Sequence, residues 1–182
     1  MRPFYFLCYI LPMVEIQKPS LTLVKSYLEF IDEMKKHGDT VWEGMIPKSS
    51  EQSSQFVERL LRSEVTPEPA LVAETTYWGT IGNQVVGRIA LRHELNENLA
   101  EFGGHIGYEA HPLFRRQGVA TEMLRKVLQT PRALKMGSIL LTCAPDNLGS
   151  NKVIQANGGT LTKTAYVEKW KRDTNYYWID LS

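Results

Sequence analysis

The chain has 182 residues, 43% of them hydrophobic, enough for one compact core and too few for two domains of ordinary size. Its 21 lysines and arginines nearly balance 20 acidic residues, so no general field draws nucleic acid or a membrane surface to it. Cys8 and Cys143 lie far apart and outside any C-x-x-C spacing, which argues against a structural zinc or a redox pair and fits reduced thiols in a cytoplasmic protein.

The opening residues carry Arg2 and an apolar run from Phe4 to Leu11, too short to span a bilayer and followed by no small-residue cleavage site. Two readings stay open for residues 1–12: an upstream extension, with translation starting at Met13, or an extra edge strand or packing arm. Residues 14–17 read as a first strand, and residues 13–182 are expected to form a single domain.

Apolar residues at 21, 24, 28, 31 and 34 recur at helical spacing, with Gly38 just beyond. A second helix is expected over 50–62, on the stripe Phe56, Val57, Leu60 and Leu61, with serines as caps. Residues 70–78 and 84–92 are rich in β-branched and aromatic side chains around Gly82-Asn83, a hairpin pattern. A polar connection near residues 96–98 leads to a strand over 104–110, whose faces alternate between Ile106, Tyr108 and Ala110 and His105, Gly107 and Glu109. A basic, glycine-bearing turn follows Pro112. Val119, Ala120, Met123, Leu124, Val127 and Leu128 then give a helical apolar face, kinked or ended at Pro131. The apolar run 138–143 reads as a buried strand reached by a helical crossover, hence parallel to the strand before it. A turn at Pro145-Asp146-Asn147, a brief helix capped by Ser150 and ended at Gly158-Gly159, and strands near 160–170 and 176–181 complete a mixed sheet flanked by helices.

The chemistry concentrates where the strand 104–110 hands over to the helix. Gly118 sits at the tight point, with Arg115 and Arg116 just before it. The first turn of a helix has N–H groups without internal partners and the positive end of the dipole, so a phosphate is bound there by geometry and charge together. No G-x-x-x-x-G-K-[ST] and no G-x-G-x-x-G occurs, which disfavours ATP and NAD. Thr121 offers a hydroxyl near the helix start, and the arginines suit anionic oxygens.

The segment Arg115-x-x-Gly118-x-Ala120, in this strand-to-helix setting, resembles the acetyl-CoA loop [R/Q]-x-x-G-x-[G/A] of the GCN5-related N-acetyltransferases. The order of the surrounding elements is similar too, over nearly everything after Met13. More narrowly, Arg92-His93-Glu94-Leu95-Asn96 with Gly103-Gly104-His105-Ile106-Gly107-Tyr108 looks like a bacterial subgroup of predicted acetyltransferases. The resemblance implies a mostly antiparallel α/β fold with one splayed parallel strand pair, and acetyl-CoA as co-substrate with no metal. The pantetheine arm would bond strand backbone near Glu109 and Ala110, the pyrophosphate would meet Arg115, Arg116, Gln117, Gly118, Val119, Ala120 and Thr121, and Asn147 and Asn151 would add contacts.

It further implies direct attack of a primary amine on the thioester. Glu109 is the first candidate base, or else a partner of an arginine. His105 comes next as a catalytic candidate and His93 as a substrate contact, each with the alternative of bracing the hairpin loop. The tyrosine that often protonates the departing thiolate in this family corresponds here to Ile154, so Tyr108, Tyr166, Tyr176 or water would have to replace it. The acceptor, a small molecule or a peptide amine, would bind against the N-terminal helices and the 92–103 loop. A homodimer is compatible with this reading, and a non-catalytic acyl-CoA-binding module is the alternative to an enzyme.

Overall fold

The computed structural model describes residues 13–182; the expectations for residues 1–12, Cys8 included, lie outside the described residues. The helical periods near the N-terminus become α1 (Val24–Lys36), which buries Tyr27, Phe30, Ile31 and Met34, and α2 (Ser53–Arg62), which buries Phe56, Val57 and Leu60. The first helix starts later than its period suggested, because Leu21 lies in a turn and is largely exposed. Gln52, not a serine, opens α2, and its N–H donates to Gln55 Oε1 at 2.9 Å in a reciprocal capping arrangement.

Strands β1 (Glu15–Gln17), β2 (Glu74–Ile81), β3 (Gln84–Arg92) and β4 (Ile106–Ala110) form one antiparallel sheet in that spatial order. The polar connection before β4 contains a short helix, α3 (Glu97–Glu101), capped by Asn96 Oδ1, which accepts the Leu99 N–H at 3.0 Å. Beyond β4 lie α4 (Val119–Leu128) and α5 (Pro131–Met136). Pro131 does more than end a helix: it occupies the first turn of α5, where its missing N–H costs nothing, and Thr130 caps that turn. A second antiparallel sheet, in the order β5-β7-β6, comprises β5 (Ser138–Cys143), β6 (Thr160–Val167) and β7 (Arg172–Asp180), with α6 (Leu148–Ala156) between β5 and β6. The result is a mixed α/β fold of antiparallel sheets flanked by helices.

Helices α1 and α2 cover one face of the first sheet around Trp78, on which the Tyr27 ring stacks at 4.3 Å. The opposite face shares a core with the second sheet: Ile89, Leu91 and Ile106 meet Ile139, Leu141 and Tyr177 beneath α4 and α6. Met123 of α4 lies so close to Gly79 and Gly87 that a side chain at either would strike it. That contact sets how closely α4 rides on the sheet, and with it the position of the loop leading into α4.

Where the strands 104–110 and 138–143 approach, one backbone bond joins them, from His105 N–H to Leu140 O at 2.7 Å, and no ladder continues it among the described residues. The Leu140 N–H returns to His105 Nδ1 at 2.9 Å. Gly104, at φ +62°, makes this approach possible, since a Cβ there would lie 2.4 Å from Leu140 O. Gly104→Ala is therefore expected to push the two sheets apart at their junction and to destabilise the protein by about 2–4 kcal/mol, read as a lower urea midpoint with little change in slope.

Candidate functional site

Strand β4 is the edge of its sheet, and among the described residues a single backbone hydrogen bond, at His105 just before it, links it to β5; a cleft with a volume of about 760 Å³ lies between the two strands. Gly107, Tyr108 and Glu109 of β4 form one wall, Thr142 and Cys143 of β5 the other, and Asn147 and Ser150 close one end. The His111 N–H bonds Val86 O at 2.8 Å. Antiparallel alternation from that bond, in the observed register, points the backbone groups of Tyr108 and Ala110 away from β3 and toward the cleft edge. An extended ligand could pair with them as an added strand does.

The chain then turns sharply into α4. Arg116, at φ +60°, and Gly118, at φ +81°, are both left-handed, and alternation of this kind gathers successive N–H groups into an anion-binding concavity. For Arg116 the conformation costs roughly 1–2 kcal/mol. Val119, Ala120 and Thr121 occupy the first turn of α4, where their N–H groups have no intrahelical acceptor. Nothing lies within 4 Å of where a Gly118 side chain would begin, so the space in front of this turn is open.

The side chains of the loop divide their duties differently from the expectation. The Arg115 guanidinium pairs with Asp39 at 2.5 Å and its Nε reaches Ala110 O at 3.3 Å, which ties the loop to the segment after α1. Gln117 Nε2 donates to Leu113 O at 3.0 Å and braces the turn. Val119 is buried in the core. Arg116 is exposed and forms no ion pair among the described residues, which makes it the loop's available cation.

At the other end, Asn147 caps α6, its Oδ1 accepting the Ser150 N–H at 3.0 Å; the cap is the asparagine, and Ser150 belongs to the first turn. Asn151 is buried and saturated. Its Nδ2 donates to the Ala144, Pro145 and Asn147 carbonyls, and its Oδ1 accepts from Asn175 at 2.9 Å and Tyr177 at 2.5 Å. That leaves it no free hydrogen-bonding group for a coenzyme, so it shapes the β5–α6 turn instead. Ile154 is fully buried in the core. The α6 residue that faces the cleft is Ser150, whose Oγ lies 2.7 Å from the Tyr108 hydroxyl. Burial pushes the Tyr108 phenol well above its ordinary range, against an opposing hydrogen bond with Ser150, and the Cys143 thiol is likewise pushed up by burial. Sequence reasoning met Ser150 only as a cap; the tyrosine two residues before Ala110 was the available clue to its role.

Glu109 lines the cleft from the opposite face of β4. Its carboxylate lies 3.4 Å from the buried Arg88 guanidinium, which also holds Glu74 at 3.3 Å. The two carboxylates more than offset the burial of Arg88, whose pKa is raised. Arg92 donates to the Gly103 and Gly104 carbonyls at 3.3 and 3.0 Å and fixes the loop before β4.

Neither histidine joins Glu109. His105 Nδ1 is committed to the Leu140 N–H, and the ring is outside the lining of the cleft, so its role is to fasten the two sheets. His93 Nε2 bonds Thr75 Oγ1 at 2.8 Å, and the ring is likewise outside the lining of the cleft. The cleft is further lined by Asn98, Leu99 and Phe102 of the 92–103 loop, by Trp42 between α1 and α2, and by Lys169, Trp170 and Arg172 near the β6–β7 turn, while no residue of α1 or α2 lines it.

Burial, reinforced by Arg92, holds the His105 pKa below its ordinary value near 6.5. The folded state then binds fewer protons than the unfolded one, so this contribution to stability is complete above pH 6.5 and is lost as pH falls toward the depressed pKa. His105→Asn keeps an acceptor near Nδ1 without the titration. It should show a smaller drop in urea midpoint between pH 7 and pH 5 than the unaltered protein, although His93 and His111, also depressed by burial, leave part of the slope.

The comparisons with known proteins agree with this architecture. Residues 24–160 match the family model described as an acetyltransferase (GNAT) domain. Comparison with curated proteins gives no match. Among solved structures, the microcin C7 self-immunity acetyltransferase MccE, bound to acetyl-CoA and AMP, is similar with a TM-score of 0.66 and 17% identity, over 92% of each chain. RimL, the ribosomal L7/L12 alpha-N-protein acetyltransferase, in complex with coenzyme A, gives a TM-score of 0.65 at 16% identity, over 93% of this chain and 94% of its own. A GNAT-family acetyltransferase from Bacillus anthracis gives 0.63 at 19%, over 93% and 95%. At these identities the structures establish a shared fold, while the family model spans most of the chain: the protein belongs to the GNAT acetyltransferase family.

Proposed function

We propose that residues 13–182 form one catalytic unit that transfers the acetyl group of acetyl-CoA to a primary amine by direct attack, in the reducing cytoplasm. The observation that carries this reading is the order of features along the chain: β4, whose Tyr108 and Glu109 line the cleft and whose outer edge has no strand partner, runs directly into the open turn at Gly118. Coenzyme A has a pyrophosphate, an extended amide-bearing arm and a thiol in that order. The Gly118 turn, with the amides of residues 119–121 and the Arg116 side chain, matches the first. The outward backbone groups of Tyr108 and Ala110 match the second. Asn147 lines the same cleft, and the structural relatives known with acetyl-CoA or coenzyme A support the assignment.

The thioester supplies the activated acetyl group, and the chain's own residues supply positioning and proton handling. An outward N–H of β4 is placed to stabilise charge developing on the carbonyl oxygen. The Glu109 carboxylate orients the amine and takes up its proton through water. Tyr108 and Ser150 stand on the other side of the strand, toward the departing sulfur. A thiolate has a basicity near pKa ~8.5 and an unperturbed phenol titrates near ~10. Tyr108, raised further by burial, therefore stabilises the thiolate as a hydrogen-bond donor without full proton transfer.

Two substitutions separate these roles. Gly118→Glu places a carboxylate where the pyrophosphate would lie and should abolish coenzyme A binding by calorimetry. Gly118→Ala meets no neighbour; it should lose only about 1 kcal/mol of stability through its positive φ and retain measurable binding. Unchanged affinity in Gly118→Glu would overturn the site. Glu109→Gln, which keeps a hydrogen bond to Arg88, is expected to lower kcat by about 10²–10⁴-fold with coenzyme A affinity largely intact, followed as acetyl-CoA-dependent thiol release over a panel of amines.

A further inference from the structure

The cleft is also lined by three aromatic rings contributed by segments far apart in the chain. Trp42 follows α1, Phe102 follows α3, and Trp170 sits in the turn between β6 and β7. Phe102 stacks on Trp170 at 4.6 Å with an angle of 29° between the planes. Trp170 meets Trp42 at 6.4 Å and 88°. The rings thus form a right-angled corner, and yet Trp42 stays 53% exposed and Trp170 39%. Leaving that much indole surface in water at the mouth of a cleft forgoes the stabilisation that burying it would bring. Exposed apolar surface gathered in a concave site is the mark of a surface that meets a ligand.

The charges around the corner restrict what fits. The Arg172 guanidinium lies 4.9 Å from the Phe102 ring centre, and Lys169 Nζ is held by Asn98 Oδ1 at 2.8 Å. Glu101 is the acidic neighbour of Phe102 in the cleft lining, and the Glu109 carboxylate is paired with Arg88. Phe102 already has its cation, and two positive side chains oppose a second one, so the corner does not suit a quaternary or polyamine cation. A flat ring that is neutral or anionic can stack on the open Trp42 face with its edge toward Trp170.

Resting on the acetyl-transfer reading, we propose that the acceptor is a primary amine carried a few bonds from a neutral or anionic planar aromatic ring, which docks in the corner of Trp42, Trp170 and Phe102 while the amine reaches Glu109. The rings lie in the same cleft as Glu109, so one acceptor can occupy both places.

The test compares tryptophanamide and phenylalaninamide with leucinamide and cyclohexylalaninamide, which carry the same amine charge but no aromatic ring. The unaltered protein should acetylate the aromatic amides with kcat/KM about tenfold or more higher, the difference residing in KM. In Trp42→Ala the ratio of aromatic to aliphatic kcat/KM should fall close to one, and Trp42→Phe should restore most of it. Because the readout is a ratio within each variant, a general loss of activity does not imitate it. Calorimetric binding of the same four amides to the coenzyme A-saturated protein reads the ring site without turnover. Aromatic preference in binding with no turnover would overturn acetyl transfer and leave the ring site standing. Turnover with equal efficiency for aromatic and aliphatic amides, or a preference that persists in Trp42→Ala, would overturn the ring site and leave acetyl transfer standing.

Discussion

A single backbone hydrogen bond, from His105 N–H to Leu140 O, decides where the two sheets meet and where they part. A continuous ladder between β4 and β5 would have satisfied every edge group of β4 and left no cleft. One bond, backed by the Leu140 N–H to His105 Nδ1 contact and made possible by the bare Cα of Gly104, anchors one end of the strand and leaves the outer groups of Tyr108 and the Ala110 N–H without a partner on β5, while Ala110 O is taken by Arg115 Nε. The shared apolar core beneath α4 and α6 tolerates this opening because the sheets are held by side-chain packing on one face, not by hydrogen bonds along their length. An exposed edge strand is ordinarily a liability; here it becomes the surface along which an extended ligand can be aligned.

The alternation of a strand then divides the proposed chemistry. Successive residues of β4 project to opposite faces, so Glu109 looks toward the α1/α2 side with Arg88 and Glu74, while Tyr108 looks toward α6 and Ser150. A group that takes a proton and a group that stabilises a leaving anion work against each other when they touch, since one would neutralise the other. Separating them by the strand itself keeps each in its own environment, with the backbone N–H groups between them. The buried Arg88 contributes by fixing the Glu109 carboxylate in place, at the cost of desolvating a guanidinium that two carboxylates offset.

The half of the site proposed for the coenzyme is legible in the sequence as local structure because it is nearly contiguous: strand, turn, glycine and helix follow one another through residues 104–121, and local patterning reports each. The roles of individual side chains within it were less legible. Arg115 carries the motif, but its guanidinium is taken by Asp39, a residue 76 positions away that no local pattern connects to it. Asn151 looked like a polar group awaiting a ligand, and its saturation by Asn175 and Tyr177 depends on the packing of α6 against β7. Pro131 shows a different limit. Proline stops one helix and begins another equally well, and Thr130 decided the matter by capping α5.

The half proposed for the acceptor is illegible for a deeper reason than distance alone. Its walls come from Trp42, from the loop holding Phe102 and from the β6–β7 turn holding Trp170 and Arg172, three connections that the fold brings together without needing any particular side chain in them. Core positions betray themselves by periodicity, because burial imposes it. Loop positions at a cleft mouth obey no period, so an indole there has the same sequence appearance as one on any surface turn. What distinguishes it is the perpendicular meeting of rings in a shared concavity, which becomes visible only when the two sheets have been placed. The junction at His105 therefore sets the proposed acceptor site as well: by fixing the second sheet relative to β4, it carries the β6–β7 turn to the cleft and brings Trp170 against Trp42.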